Sequence, residues 1–273
     1  MSRLLDMLEK ASQPAPRHLG FVPIRSEAAV PPLALIIRLD ADTSELMKGN
    51  QDVADSLILR VEGLDKVKAI LKKLDKLPET LPWGVQSQEI EMEQLDALGE
   101  AGCDFLVFGI DATPAPVLNE EDIAKVLSID TSVEEQFLRV LEDMPTDSII
   151  IETEPGECLS VRDLIAYRSI LYAVTKPVMV RTRIDLEEGE LLALQNVGIL
   201  GIIVQPRTSK EMKQVVDLRK VIEGLPPREE GDKGRVDALV PPSGQGIEAS
   251  LQEEEEEEDS PLGLALRINQ QPI

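Results

Sequence analysis

The fold is decided by the stretch Asp147–Arg207, which begins DSIIIETEPGE and continues through SVRDLIAYRSILYAV, KPVMVRTR, LEEGELLALQNVG and ILGIIVQPR. Its aliphatic runs are rich in Ile and Val, and they alternate with segments whose apolar residues have helical spacing. A strand, helix, strand, helix, strand order of this kind is typical of parallel βαβ units. The stretch therefore predicts a parallel sheet with helices packed against it.

The first half of the chain repeats features of this stretch. Three pairs of segments match: Asp55–Leu59 with Asp147–Ile151, Leu95–Gly102 with Leu191–Gly198, and Leu39–Asp40 with Ile129–Asp130. Duplication of a half-barrel would explain the matches. The shared need of every βα unit for an apolar helix face, a glycine stop and an apolar strand explains them equally well. Both explanations predict the same architecture.

Composition points to an aliphatic core and restricts the partners. Hydrophobic residues make up 42% of the 273 residues but aromatic residues only 3%, which suits a parallel sheet buried on both faces. The formal net charge of -23 repels phosphate backbones and anionic lipids, so we expect neither nucleic-acid nor membrane binding. No apolar run is long enough to span a membrane, and the charged N-terminus lacks a signal core, so we expect a cytoplasmic protein.

Eight strand-like segments occur in about 190 residues, each followed by a helix or a short substitute for one. They are residues 33–39, 56–61, 83–86, 105–110, 124–129, 148–151, 177–180 and 201–204. This count predicts a compact (β/α)8 barrel of the TIM type. A doubly wound open sheet is the alternative, but the turn after the first strand, Asp40–Thr43, contains none of the glycines that such sheets use to bind phosphate.

The chain divides into three regions by composition. Residues 1–32 comprise a short amphipathic helix, residues 3–12, and an irregular covering segment rich in Pro and Ala. Residues 33–225 are predicted to form the barrel. Residues 226–273 are acidic and rich in Pro and Gly, so we expect a disordered tail. The apolar run Leu262–Ile268 within it is either a mobile end or a segment that docks on the barrel or on a protein partner.

Functional groups of such barrels lie at the C-terminal ends of the strands. The early strands end in carboxylates, and the last two end in arginines. The carboxylates are Asp40, Glu62, Asp111, Asp130 and Glu152, and the arginines are Arg181, Arg183 and Arg207. Arginines bind phosphate or carboxylate groups in two-point fashion, whereas carboxylates act as acid and base or hold a divalent cation. Charged residues at strand ends also serve simply to solvate the rim.

Several chemistries are disfavoured by what the sequence lacks. His18 is the only histidine, which argues against histidine-based zinc sites and Ser-His-Asp triads. No motif for NAD, haem or zinc is present. A divalent metal held by carboxylates stays open, with Asp111 and Glu152 as candidate ligands, although no ligand spacing favours it.

Asp40 and Asp130 end the first and fifth predicted strands, and they resemble the paired aspartates of the histidine-biosynthesis isomerase and cyclase barrels. The segments Ile36–Asp40 and Gly102–Phe108 are similar to strands one and four of that family. The resemblance implies a half-repeated barrel in which Asp40 and Asp130 perform acid–base chemistry on a phosphosugar. The Gly-rich phosphate-binding turns of the family are not present here, so the resemblance supports the fold more than the activity.

Two classes of function follow from these patterns. The first is an enzyme, an isomerase or lyase, in which Arg181, Arg183 and Arg207 hold a small anionic or phosphorylated metabolite while Asp40 and Asp130 act as acid and base. The second is a non-catalytic barrel that serves as an interaction scaffold through its acidic tail. The sequence contains no complete motif that decides between them.

Overall fold

Eight parallel strands close into a barrel in sequence order, with the first strand paired to the last. The computed structural model describes residues 2–13, 31–40, 42–61, 78, 80–87, 90, 92–111, 113–154, 156 and 158–228. His18, Glu62 and the segment 229–273 lie outside the described residues, as does most of the predicted helix that follows the second strand. The closed ring confirms the predicted TIM-type barrel and excludes the open doubly wound sheet.

The strand bounds agree with the sequence prediction to within one residue at each end. The strands are β1 Ala34–Leu39, β2 Ser56–Val61, β3 Trp83–Ser87, β4 Phe105–Gly109, β5 Ala124–Ile129, β6 Ser148–Ile151, β7 Val178–Arg181 and β8 Gly201–Val204. The described helices are α1 Arg3–Ser12, α2 Met92–Glu100, α3 Glu135–Asp143, α4 Val161–Ala173, α5 Glu188–Val197 and α6 Ser209–Gly224. Between β4 and β5 the described connection contains only a 3-10 helix, Ala115–Asn119, as its two prolines predict.

Two apolar clusters form on the two faces of the sheet, because alternate residues of a strand point to opposite sides. The larger cluster lies between the strands and the helices. The smaller one fills the barrel interior and includes Ile36, Phe105 and Met179. Leu4 and Leu8 of α1 join this interior cluster and are fully buried, so α1 covers one end of the barrel.

Asp104 holds α1 against the barrel. Its carboxylate accepts hydrogen bonds from the Ser2 hydroxyl at 2.7 Å and from the backbone N–H groups of Arg3 and Leu4, both at 2.9 Å. Asp104 directly precedes β4, so this end of the barrel is the one where the strands begin. The opposite end, where the strands finish, is the one at which the functional groups of such barrels lie.

The repeated Asp-Ser pairs noted in the sequence make equivalent contacts four strands apart. The N–H of Asp55 donates to the carbonyl of Leu35, and its carboxylate accepts from the N–H of Leu35 at 2.8 Å. Asp147 makes the same two contacts with Lys125, the second at 2.7 Å. Each aspartate therefore links the start of its strand to the start of the preceding one.

The serines of the two pairs are equivalent as well. The Ser56 hydroxyl donates to the carbonyl of Pro82 at 3.0 Å, and the Ser148 hydroxyl donates to that of Pro177 at 2.9 Å. Each proline lies just before the next strand. These matched contacts favour a half-barrel duplication that relates β1–β4 to β5–β8.

The sequence predicts four helix starts from their caps: a capping box of Ser132 and Glu135, N-caps at Ser160 and Asp185, and a capping box of Thr208 and Glu211. Two of these predicted starts are wrong. The capping box expected from Ser132 and Glu135 does not start α3, because Ser132 binds the carboxylate of Asp130 instead and Glu134 is the N-cap. Asp185 does not cap α5, which begins two residues later with a box formed by Glu187 and Glu190. The predicted N-cap Ser160 is confirmed for α4, and its box is completed by Asp163.

In the part of the chain that the structure describes, no helix has both the length and the apolar character needed to cross a membrane.

Candidate functional site

A pocket of about 440 Å³ lies at the C-terminal ends of β7 and β8. Ten residues line it, from the end of β7, from the segments that follow β6, β7 and β8, and from α6. They are Glu154, Arg181, Thr182, Arg183, Ile184, Asp185, Gln205, Arg207, Glu211 and Gln214. The three arginines singled out in the sequence therefore share one pocket.

Arg181 and Arg183 enter the pocket already paired with carboxylates. The Nη1 of Arg181 lies 3.7 Å from Glu152 and 3.3 Å from Glu154. The Nε of Arg183 lies 3.0 Å from Asp185, and its Nη2 lies 2.5 Å from Glu190. Each arginine thus has two kinds of partner. The framework carboxylates, Glu152 directly after β6 and Glu190 of α5, do not line the pocket, whereas the wall carboxylates, Glu154 and Asp185, do.

The wall carboxylates are easily displaced. The side chain of Glu154 is 93% exposed and that of Asp185 is 70% exposed. Ion pairs between such exposed groups contribute little to stability. An anion that enters the pocket can replace both carboxylates without disturbing the framework pairs.

Arg207 differs from the other two arginines because its guanidinium makes no ion pair within the described part of the chain. Its side chain is exposed and lines the pocket. Its backbone N–H donates to the carboxylate of Glu211 at 2.6 Å. Thr208 is the N-cap of α6, as predicted, but the predicted capping box does not form, because Glu211 binds Arg207 instead. The start of α6 is therefore occupied by its own acidic side chain, and the guanidinium is what Arg207 offers to a ligand.

Thr182 is a pocket residue that the sequence analysis did not select. It follows β7, its backbone N–H donates to the carbonyl of Ile203 at 2.9 Å, and only 8% of the residue is exposed. Its Oγ1 is buried and has no hydrogen-bond partner among the described residues. Buried polar atoms nearly always have partners, so this hydroxyl is a polar group with unused hydrogen-bonding capacity beside the pocket. In the sequence, the position of Thr182 between two arginines at a strand end is the feature that could have indicated its place in the pocket.

A buried ion pair lies behind the pocket. Arg38 of β1 is 3% exposed, and both of its terminal nitrogens donate to the carboxylate of Glu152, which directly follows β6. Glu152 thus contacts both Arg38 and Arg181. Glu152 is predicted from the sequence as a site residue, whereas Arg38, the one charged residue in the aliphatic run of β1, is not.

Asp40 and Asp130 do not line the pocket. Asp40 is one contact away, because the Nε2 of Gln205 donates to its Oδ2 at 2.7 Å and Gln205 is a lining residue. Asp130 is exposed and binds the backbone and hydroxyl of Ser132. The side-chain hydrogen bond from Ser132, helped by the backbone one, lowers the pKa of Asp130. That carboxylate is therefore a weaker general base than an unbonded one.

Asp111 and Glu152 are the other predicted carboxylates that the structure describes. Asp111 is exposed at the end of β4, while Glu152 is engaged by two arginines. Within the described segments, no group of three or more Asp, Glu, His or Cys side chains could hold a metal ion. Glu152 already carries positive partners, so a cation would have to displace them.

Comparisons with known proteins identify the fold. No family model matches the chain, and no curated protein matches it. Two mutant tryptophan synthase alpha-subunits from Pyrococcus furiosus are similar in structure, each with a TM-score of 0.56, at 13% and 15% sequence identity. Each comparison covers 70% of this chain and 98% of the alpha-subunit. The tryptophan synthase complex from the same organism matches with a TM-score of 0.53 at 14% identity.

These likenesses extend along almost the whole of the alpha-subunit, but at such identities they establish shared architecture alone. They agree with the closed ring of eight strands and with the fold that the histidine-biosynthesis resemblance implies. The chain is therefore a (β/α)8 barrel of the TIM type.

Proposed function

We propose that this barrel binds a small anionic metabolite, carrying a phosphate or carboxylate group, in the pocket at the ends of β7 and β8. The observation that carries the proposal is the set of donors on the pocket wall. Arg181, Arg183 and Arg207 offer guanidinium groups, and Thr182 offers a buried hydroxyl that has no partner. Guanidinium groups match the geometry of phosphate and carboxylate oxygens.

Charge sets the expected strength of binding. The chain carries a formal net charge of -23, so long-range attraction of an anion is weak. Short-range contacts must therefore supply the affinity, and Arg207 is the arginine that needs no exchange of partners. Phosphate affinity should consequently depend strongly on this one side chain.

For catalysis, we propose isomerase or lyase chemistry with Asp40 and Asp130 as acid and base. Asp40 is supported by its contact with the lining residue Gln205. Asp130 lies outside the lining, and its hydrogen bonds with Ser132 suit a loop-closing role as well as a catalytic one. Asp40 is thus the better supported of the two.

A second candidate is a barrel that binds its ligand without turnover and acts as an interaction scaffold. The observation in its favour is that neither aspartate lines the pocket. Under this reading the acidic segment 226–273 engages a protein partner, and the pocket serves to sense a metabolite. Loss of partner capture after removal of residues 229–273, with an unchanged melting temperature, would support it; an unchanged capture would count against it.

Calorimetric titration of the full-length protein with orthophosphate tests the binding proposal. Arg207→Ala should weaken binding at least about tenfold, because it removes a charge-assisted contact, and Thr182→Val should weaken it about threefold to tenfold, because it removes a neutral one. The control is Arg162→Ala, since Arg162 is an exposed arginine of α4 that does not line the pocket. Equal affinities for wild type and Arg207→Ala would reject the pocket as the site.

The catalytic proposal has its own test. If turnover of a phosphorylated metabolite is detected, Asp40→Asn should lower kcat at least about a hundredfold while phosphate affinity stays within about twofold of wild type. Full activity in Asp40→Asn would remove Asp40 from the mechanism.

A further inference from the structure

Arg38 is the one charged residue whose side chain is buried among the residues that the structure describes. It occupies the interior of the barrel, where a charge separated from water is costly unless it is paired. Its Nη1 donates to Glu152 at 3.1 Å, and its Nη2 donates to the other oxygen of the same carboxylate. Its Nε has no hydrogen-bond partner in the described segments. Glu152 is therefore the one carboxylate that pairs with this buried charge in the described part of the chain.

Glu152 stands between two arginines of unequal exposure. Its carboxylate is doubly bound by Arg38 and lies 3.7 Å from the Nη1 of Arg181. The side chains of Glu152 and Arg181 are 22% and 19% exposed. The doubly bonded pair is the stronger one, since two-point contacts of a guanidinium with a carboxylate fix both groups.

We infer that Arg38 is a positioning residue that neutralises Glu152, so that Arg181 keeps its positive charge for the anion in the pocket. Once an anion replaces the exposed Glu154 as the partner of Arg181, the two arginines and Glu152 leave one positive charge. Arg181 presents it, because among Arg38, Glu152 and Arg181 only Arg181 lines the pocket. Without Arg38, the carboxylate turns to Arg181 and cancels that charge. The inference rests on the proposed anion-binding function and names the residue that sets the charge of its site.

Arg38 could act on the protein in two ways, through the packing of the barrel or through the charge of the pocket, and variants distinguish them. A purely structural Arg38 would stabilise the barrel, and its loss would affect folding without a specific effect on the pocket. A charge-setting Arg38 acts on the pocket through Glu152, so its effect should vanish when Glu152 is neutral. The pair of variants Arg38→Met and Arg38→Met/Glu152→Gln distinguishes these cases. The double variant removes both charges, which proteins tolerate better than one unpaired buried charge.

Orthophosphate calorimetry on the full-length protein provides the first readout. Arg38→Met should weaken phosphate binding on the order of tenfold, the effect of one uncompensated charge roughly 10 Å away at an intermediate dielectric constant. The double variant should recover to within about threefold of wild type, because the two effects are coupled through one contact. A double variant as weak as Arg38→Met would overturn the inference.

Arginine side-chain NMR of the ligand-free protein supplies the second readout, which does not depend on phosphate binding. In Arg38→Met, Glu152 should close onto Arg181, and rotation about the Nε–Cζ bond of Arg181 should slow. In the double variant this rotation should be at least as fast as in wild type. Unchanged Arg181 signals in both variants would overturn the inference. Failure of the wild type to bind phosphate would reject the proposed function, while these spectra would still decide the role of Arg38.

Discussion

Substitution of Gly84 by alanine tests how tightly the barrel interior is packed. Gly84 of β3 is paired in register with Phe105 of β4, whose side chain is fully buried inside the barrel. A Cβ built on Gly84 would lie under 3.0 Å from the ring carbon Cδ2 and from the backbone carbonyl oxygen of Phe105. The ring can rotate away, but the carbonyl belongs to the sheet, so the strands themselves must separate.

Overpacking of this kind costs about 3 kcal/mol, the upper end of the usual range, because backbone is involved. Alanine restricts the unfolded chain and returns about 0.5 kcal/mol of that cost. A net loss of about 2.5 kcal/mol should lower the melting temperature by about 5 to 10 °C for a domain of this size.

Gly109→Ala is the matched control, because Gly109 also lies in a barrel strand but a Cβ there would meet nothing within 4 Å. Its melting temperature should equal or slightly exceed that of the wild type. Both variants are compared by differential scanning calorimetry and by urea unfolding monitored by circular dichroism. If Gly84→Ala melts within 2 °C of Gly109→Ala, about the effect of 1 kcal/mol or less, the packing argument is refuted.

Three further predictions concern single contacts. Asp104→Ala removes the carboxylate that accepts hydrogen bonds from Ser2, Arg3 and Leu4 at the start of α1. It should cost about 1 to 2 kcal/mol in urea unfolding, with faster proteolysis at the N-terminus; unchanged values for both would contradict the docking of α1. Arg228 donates to the carbonyls of Ala11, Pro32, Gln195 and Ile199, and burial lowers its pKa to about 10, so it stays charged at neutral pH. Arg228→Met leaves these carbonyls unpaired and should cost about 3 kcal/mol, against under about 0.5 kcal/mol for the exposed Arg162→Met. Desolvation raises the pKa of Glu190, but backbone hydrogen bonds from Glu187 and Leu159 and the charge of Arg183 lower it by more, so the pKa is lowered overall. The ionised Glu190 therefore stabilises the fold at pH values above the pKa of the unfolded state. This stabilisation is lost as the pH falls through the pKa of the folded state. Urea unfolding of Glu190→Gln should then depend less on pH than wild type between pH 7 and the acidic range, and identical slopes would refute the assignment.

The strands could be predicted from the sequence because each is an aliphatic run that ends in a charged or polar residue. The run Ser148–Ile151 is a typical case, and its bounds were predicted without error. Helix starts were harder where several candidate caps lie close together. Asp185 is the expected N-cap by residue type, but its carboxylate is held by Arg183 and Glu187 caps the helix instead.

The network behind the pocket could not be predicted, for two physical reasons. Strands buried on both faces show no alternation between apolar and polar residues, so the inward direction of Arg38 could not be read from its neighbours. Its partner Glu152 lies 114 residues away, and only barrel closure brings the two together. The unpartnered hydroxyl of Thr182 is likewise a property of three-dimensional packing rather than of sequence.

The location of a bound anion tests the central claim most directly. Crystals of the full-length protein soaked with tungstate, a phosphate-like oxyanion that scatters anomalously, would report that location. We predict an anomalous peak in the pocket at the ends of β7 and β8, with the oxyanion within hydrogen-bonding distance of Arg207 and Thr182. A pocket without a peak, with the anion bound only at other arginines such as Arg60, would contradict the account.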